Sequence, residues 1–219
     1  MKDLKRFFSR VTAYFVLLIG VVLMFHGQIR DFLVKQGGEE YQIEKVSKKT
    51  LEENQKKEAS FDFDAVESLS TESILKARKE HKDLLVIGSI VVPSVSIQLP
   101  IFKGCSNENL LYGAGTLSPN QKMGEGNYAL ASHRTSNPNL LFTPLDRLSL
   151  GAEIYLVGSD KIFVYQATYK ERVSPTKVEL LEEEKGKKKV TLITCGEMEG
   201  QTRLVVQGEL KEIRQRKEK

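Results

Sequence analysis

The stretch Leu84-Leu85-Val86-Ile87-Gly88-Ser89-Ile90-Val91-Val92-Pro93-Ser94-Val95-Ser96-Ile97-Gln98-Leu99-Pro100-Ile101-Phe102 sets the fold class. Two short runs of β-branched and aliphatic residues, Leu84 to Val92 and Ile97 to Phe102, are broken by a proline and serines. Such runs bounded by turn residues read as strands. The same texture continues through Asn127 to Ser132, Glu153 to Val157, Ile162 to Tyr169, Val190 to Thr194 and Leu204 to Leu210. Gly104, Gly113, Gly115, Pro119, Gly124, Gly126, Pro138, Gly151 and Gly158 punctuate it. Short strands at close spacing point to an all-β barrel or sandwich, and the absence of a strand–helix–strand rhythm argues against a doubly wound sheet.

Two of these strands end on residues with chemistry. Asn127-Tyr128-Ala129-Leu130-Ala131-Ser132 runs into His133 and the polar loop Arg134-Thr135-Ser136-Asn137-Pro138. Val190-Thr191-Leu192-Ile193-Thr194 runs into Cys195-Gly196. A titratable ring at a strand end is positioned by a rigid element yet accessible from a loop. A thiol attacks as thiolate and needs a partner for its proton and charge, which His133 can be. Arg203 opens the next strand, so an antiparallel turn would bring its guanidinium back toward the thiol. There the fork of donors suits a carbonyl or an oxyanion. The other candidates are better explained structurally. His26 ends the apolar N-terminal run, His81 lies in the charged stretch Arg78-Lys79-Glu80-His81-Lys82-Asp83, and Cys105 sits in a turn leading into a short helix.

Toward the N-terminus, Ser70-Thr71-Glu72-Ser73 reads as the start of a short amphipathic helix that ends near Lys82. Between Glu39 and Glu58 the apolar residues are few (Tyr41, Ile43, Val46 and Leu51), and residues 30–60 read as a solvated stalk. From Val11 to Phe25 the chain has no charge, and Gly27 and Ile29 bring this run close to the length that spans a bilayer. No small-residue cleavage site follows it, which favours an uncleaved signal anchor over a signal peptide. Lys2, Lys5, Arg6 and Arg10 precede the run, placing the N-terminus in the cytoplasm and the rest of the chain outside. The chain has 219 residues, a formal net charge of +4 and two cysteines. The charges of both signs are interspersed rather than gathered in a basic stripe, which argues against nucleic-acid binding. Two cysteines exclude a disulfide-dense scaffold.

These residues resemble a known family. Thr191-Leu192-Ile193-Thr194-Cys195 is similar to the TLxTC signature of sortases, the Gram-positive cell-wall transpeptidases. Ala131-Ser132-His133 and Gln201-Thr202-Arg203-Leu204-Val205-Val206 match the histidine and arginine motifs. The likeness extends through FDFDAVESLSTESIL (61–75), LPIFKG (99–104), YGAGT (112–116) and MGEGNYALASH (123–133), and points to the class A, streptococcal-like branch. It implies a closed eight-stranded β-barrel with short helices, preceded here by a transmembrane helix. It also implies a cysteine transpeptidase that cleaves LPXTG sorting signals between Thr and Gly and passes the thioacyl-linked protein to an amine of a peptidoglycan precursor of the lipid II type. Cys195 would be the nucleophile, His133 the acid–base, and Arg203 the holder of backbone and oxyanion. Ala131, Pro175, Val178, Leu180, Leu181, Ile193 and Thr194 would contact the substrate. Partners would be LPXTG-bearing exported proteins, the precursor and the plasma membrane.

The organisation that follows is a basic cytoplasmic N-terminus at residues 1–10, an anchor at 11–29, a stalk at 30–60, a catalytic domain at 61–210 and a basic tail at 211–219. Papain-like proteases reverse the Cys–His order, and caspase-like ones want an α/β fold. A pilin-polymerising class C sortase would carry a lid motif and a second membrane segment, neither of which is found. A non-catalytic surface-display barrel leaves the His133, Cys195 and Arg203 set as coincidence. No cofactor or metal is expected. Some class A sortases bind calcium with several carboxylates, but the loop before the histidine strand offers only Glu125, and Glu182, Glu183 and Glu184 are followed by lysines. Residues 1–60 are expected to be dispensable for chemistry. His133 and Cys195 are expected to face one another from adjacent strand ends, with Arg203 on the other side of the thiol.

Overall fold

The computed structural model describes residues 2–62, 72–74, 77, 84–197 and 201–216. Eight strands close on themselves in the order β1-β2-β3-β4-β7-β8-β6-β5. They are β1 (Val86–Val92), β2 (Ile97–Phe102), β3 (Ala114–Thr116), β4 (Asn127–Ala131), β5 (Glu153–Val157), β6 (Lys161–Val173), β7 (Lys189–Cys195) and β8 (Arg203–Gln215). Closure pairs each strand on both sides over part of its length, and the long β6 and β8 run past their β5 and β7 partners beyond Gln166 and Glu209.

The expected strands are all present, and β3 is an addition. Its three residues, Ala114-Gly115-Thr116, have little strand propensity, and they pair because β2 and β4 flank them. β8 runs on to Gln215, which pairs with Lys161. Residues 211–215 are therefore strand, not solvated tail, because the long β6 offers them a ladder.

Alternation along each strand fills the barrel. Ile90, Val92, Ile101, Tyr128, Leu130, Ile154, Leu156, Tyr165, Val190, Leu192, Leu204 and Val206 form one buried core. A second cluster lies outside the barrel, and here the stalk reading is overturned. Helix α1 (Lys2–Glu40), a 3₁₀ turn (Ile43–Lys45) and helix α2 (Lys48–Lys56) fold back on the barrel. Val34, Ile43 and Leu51 are 1%, 2% and 0% exposed, packed with Val86, Phe102, Leu111, Tyr112, Leu140 and Leu141. Asn54 Nδ2 donates to Val86 O at 2.9 Å, and Lys103 Nζ donates to the carbonyls of Gln55 and Lys57. The apolar residues of this segment are sparse, but they fall where a partner face awaits them.

Ile74 and Ala77 are helical and join this cluster, while most of the expected helix from residue 70 to Lys82, with His81, lies outside the described residues. Helix α3 (Asn107–Tyr112) follows Cys105 and is capped by Ser106 Oγ, which accepts from Asn109 N. The apolar part of α1 is exposed throughout and is long and apolar enough to cross a membrane. It fits a single-pass membrane anchor.

Candidate active site at the ends of β4, β7 and β8

β4 and β7 run parallel, with Ala131 paired to Ile193 and Ser132 N donating to Ile193 O at 3.2 Å. Two residues further along each strand stand His133 and Cys195. β8 returns antiparallel to β7 and pairs Cys195 with Arg203. Directly opposed residues in such a pair have Cβ atoms about 5 Å apart. The three candidate residues therefore gather at one end of three adjacent strands, with Cys195 on the middle one. All three are half-buried.

The turn that returns β8 to the thiol is tight. Gly196 N donates to Thr202 O at 3.0 Å, and Glu197 accepts from both the backbone N and the Oγ1 of Thr202. A Cβ on Gly196 would stand 2.0 Å from Thr202 Oγ1, so a larger residue there would displace the Thr202 hydroxyl from Glu197. Residues 198–200 of this turn lie outside the described residues.

Burial of the His133 imidazole pulls its pKa down to about 4, because a desolvated ring resists protonation. At neutral pH the ring is thus uncharged and able to accept a proton. With the ring neutral, the positive side chains placed next to Cys195 are Arg203, its cross-strand partner, and Arg172, which bonds Gly196 O. Cys105 is 1% exposed, and burial pushes its thiol up to about 12, consistent with a packing role.

Alternation puts Thr191, Ile193 and Cys195 on the outer face of β7, with Ala129 and Ala131 beside them on β4 and Val205 and Gln207 on β8. This face is a groove floor. A 3₁₀ turn, Val178–Leu181, lies over it: Val178 is 62% exposed, Leu180 and Leu181 are half-buried, and Pro175 is exposed. Of the expected substrate contacts, Ala131 and Ile193 lie on the floor and Pro175, Val178, Leu180 and Leu181 on the overlying segment. Thr194 does not join them. It is 3% exposed at an inward position of β7, where its hydroxyl points away from the groove.

Two polar networks absent from the sequence reading hold this arrangement. In the first, Asn127 Nδ2 donates to Leu180 O at 2.9 Å and to Glu182 O at 3.2 Å, and Gln207 Nε2 donates to Leu180 O at 2.9 Å. Thr191 Oγ1 joins the two amides, donating to Asn127 Oδ1 at 2.6 Å and accepting from Gln207 Nε2 at 3.1 Å. All three side chains are buried. One polar residue from each of β4, β7 and β8 thus clamps the overlying turn to the groove floor. In the second, Asp146 bonds Arg134, the residue after His133, and Arg172. Arg172 Nε in turn donates to Gly196 O, directly after Cys195, at 3.2 Å. The only signal for the first set in the sequence is a polar residue on an apolar strand, and the second set, drawn from a loop, a 3₁₀ turn and the polar end of β6, has none.

The chain and its barrel agree with known proteins. A Sortase domain model matches residues 90–211. The chain is 43% identical over 217 residues to Sortase A of Streptococcus agalactiae, covering 95% of this chain and 88% of that protein. It is 35% identical over 203 residues to Sortase A of Listeria monocytogenes, covering 92% and 91%. A crystal structure of Listeria monocytogenes sortase A matches with a TM-score of 0.59 and 38% identity, over 60% of this chain and 91% of that one. The breadth of the sortase A matches favours class A over class C, so the chain belongs to the sortase family as a class A transpeptidase that anchors surface proteins.

Proposed function

We propose that Cys195, His133 and Arg203 carry a ping-pong transpeptidation of LPXTG sorting signals. The observation that supports this most directly is the strand register that gathers the three at one barrel end. The sulfur of Cys195 attacks the Thr carbonyl carbon, and its proton passes to the neutral His133 ring. The C–N bond to Gly breaks, and the imidazolium gives that proton to the departing amine, leaving a thioester. An amine of a peptidoglycan precursor then loses a proton to His133 and attacks the thioester. The new amide forms and the thiol is restored. Arg203 donates to the sorting-signal backbone and to the oxyanion that develops in both halves. Ala131 and Ile193 form the floor, and Pro175, Val178, Leu180 and Leu181 the wall, of an apolar groove suited to Leu-Pro. The apolar helix anchors the chain with its N-terminus in the cytoplasm and the barrel outside.

The test is mass spectrometry of the full-length protein in detergent with an LPXTG peptide and a glycine-peptide amine. Cleavage between Thr and Gly with formation of the ligated product is expected. Cys195→Ala abolishes both, Cys105→Ala leaves both within twofold, and Arg203→Lys lowers the rate on the order of 100-fold because a point charge does not reproduce the fork. Near-normal turnover by Cys195→Ala would refute the assignment.

A further inference from the structure

The membrane helix does not end where its apolar run ends. It continues without a break to Glu40, and its first turn past the apolar residues is fastened to the barrel. Arg30 Nη2 donates to Ser136 Oγ at 2.8 Å, and Asp31 Oδ2 accepts from Asn137 Nδ2 at 3.0 Å. Arg30 and Asp31 also pair with one another, and their side chains are only 17% and 19% exposed. Ser136 and Asn137 belong to the loop that leaves His133. One turn further on, Val34 is buried against Leu140 and Leu141 of the same loop region. A turn beyond that, the helix meets Tyr112. A Cβ on Gly37 would stand 2.2 Å from Tyr112 Cε1, and one on Gly38 would stand 2.6 Å from Tyr112 O.

Adjacent glycines inside a helix weaken it and are usually read as a hinge. Here both are explained by close approach, since neither position has room for a methyl group. Polar bonds at the first turn, an apolar contact at the second and a glycine-fitted contact at the third make this half of α1 a docked element.

The heights along the helix give the dock its consequence. Arg30 is the first charged residue after the span, and Gly37 stands about 10 Å further out at 1.5 Å per residue. The loop bonded at the lower level begins at His133, three residues from Ser136, and three residues reach at most about 10 Å. The polar headgroup layer is itself about 5–7 Å thick on each side. We propose that residues 30–38 form a strut that seats the His133 loop against the lipid headgroups, so that anchor and barrel are one body and the catalytic mouth works at a fixed height on the bilayer surface. The partner surface is the headgroup layer, and the amine acceptor is met there. This rests on the membrane-anchored transpeptidase reading above.

The test uses the full chain in phospholipid vesicles. In a Cys195→Ala background, where Cys105 is buried, a fluorophore on Asn139→Cys reports the distance of the loop from headgroup-linked nitroxide lipids. Strong quenching is expected. It falls at least twofold when Gly37→Leu forces the helix off Tyr112, and also when Asp31→Ala and Asn137→Ala together remove the lower bond without a clash. In the unlabelled active enzyme, transfer from an LPXTG peptide to a glycine-peptide amine carried on a phospholipid is compared with transfer to the same amine free in solution. Each dock variant lowers the ratio of lipid-linked to soluble transfer at least fivefold, with soluble transfer kept within twofold by the double variant. Unchanged quenching and an unchanged ratio in the double variant would overturn the strut and leave Gly37-Gly38 a hinge. Absence of transfer to either amine by the parent enzyme would instead overturn the function on which the strut rests.

Discussion

Replacing Asn127 with Ala tests whether the clamp over the groove governs substrate binding. The side chain is 5% exposed and supplies the bonds to Leu180 O and Glu182 O. It also accepts from Thr191 Oγ1, whose donor is left without that partner. The two lost bonds to the turn are worth about 1 kcal/mol each net, so docking loses on the order of 2 kcal/mol, while the stranded buried donor costs the fold about 1–3 kcal/mol whether or not the turn is docked. Gln207 Nε2 still holds Leu180 O, which keeps part of the docked population. When only a fraction of molecules is competent to bind, apparent affinity falls by that fraction. A docking loss of about 2 kcal/mol then appears as a rise in KM for the sorting peptide of up to about 30-fold. The kcat changes little, because Cys195, His133 and Arg203 lie at the other end of these strands. Steady-state kinetics give the split, and hydrogen exchange at residues 178–182 should rise in parallel. Gln207→Ala acts on the same carbonyl, so the double variant should be worse than the sum of the two. If Asn127→Ala lowers thermal stability but leaves KM and the exchange at 178–182 as in the parent, the clamp is only a structural tie and the reasoning fails.

The folded pKa of His133, about 4, lies below its ordinary 6.5, so the unfolded chain binds that proton more readily. This group's contribution is full above about pH 6.5 and is lost as pH falls toward 4. Urea titrations at pH 7 and 4.5 should show the parent losing about 2 kcal/mol more than His133→Gln, after allowance for the partly exposed ring, and equal losses would contradict the burial argument. The same shift puts the acid limb of kcat/KM below pH 5.5; a limb centred at 6.5 would mean that the ring is solvated in the working enzyme. A fragment starting at residue 60 should be about 3–5 kcal/mol less stable to urea than one starting at residue 30, since it lacks Ile43 and Leu51 and uncovers Phe102 and Leu111, with the ordering entropy of the segment offsetting part of the burial. Identical midpoints would restore the stalk. Adding millimolar calcium after chelation should change the transpeptidation rate less than twofold, because side-chain amides hold the 178–182 segment down; a several-fold rise would point to ligands outside the clamp.

The barrel was legible because its strands carry their own signals. Val86 to Val92 and Leu204 to Leu210 announce themselves by β-branched runs and flanking turns. Ala114-Gly115-Thr116 does not, since a strand that short exists only by virtue of its neighbours. His133, Cys195 and Arg203 stood out because each terminates or begins a strand. Leu51 and Ile43 were misjudged by frequency, when what mattered was the apolar surface near Phe102 that receives them. Asn127, Thr191 and Gln207 come together only through the β4–β7–β8 register, which joins residues 64 and 16 positions apart. Thr194 was carried into the substrate set by its place in a motif, whereas strand alternation turns it inward.

The parallel seam between β4 and β7 also orders events during folding. Cys195 and Arg203 are joined by a short turn and form with the local β7–β8 ladder. His133 arrives only when Ala131 meets Ile193, 62 positions away. Closing a loop of that length costs about 4 kcal/mol in chain entropy before any contact repays it, so the seam forms late relative to the hairpin. A newly made chain thus brings Cys195 and Arg203 together before His133 joins them. In the proposed mechanism the thiol therefore acquires its proton acceptor only as the barrel closes, which would keep the nascent enzyme silent toward passing peptides until the groove is complete.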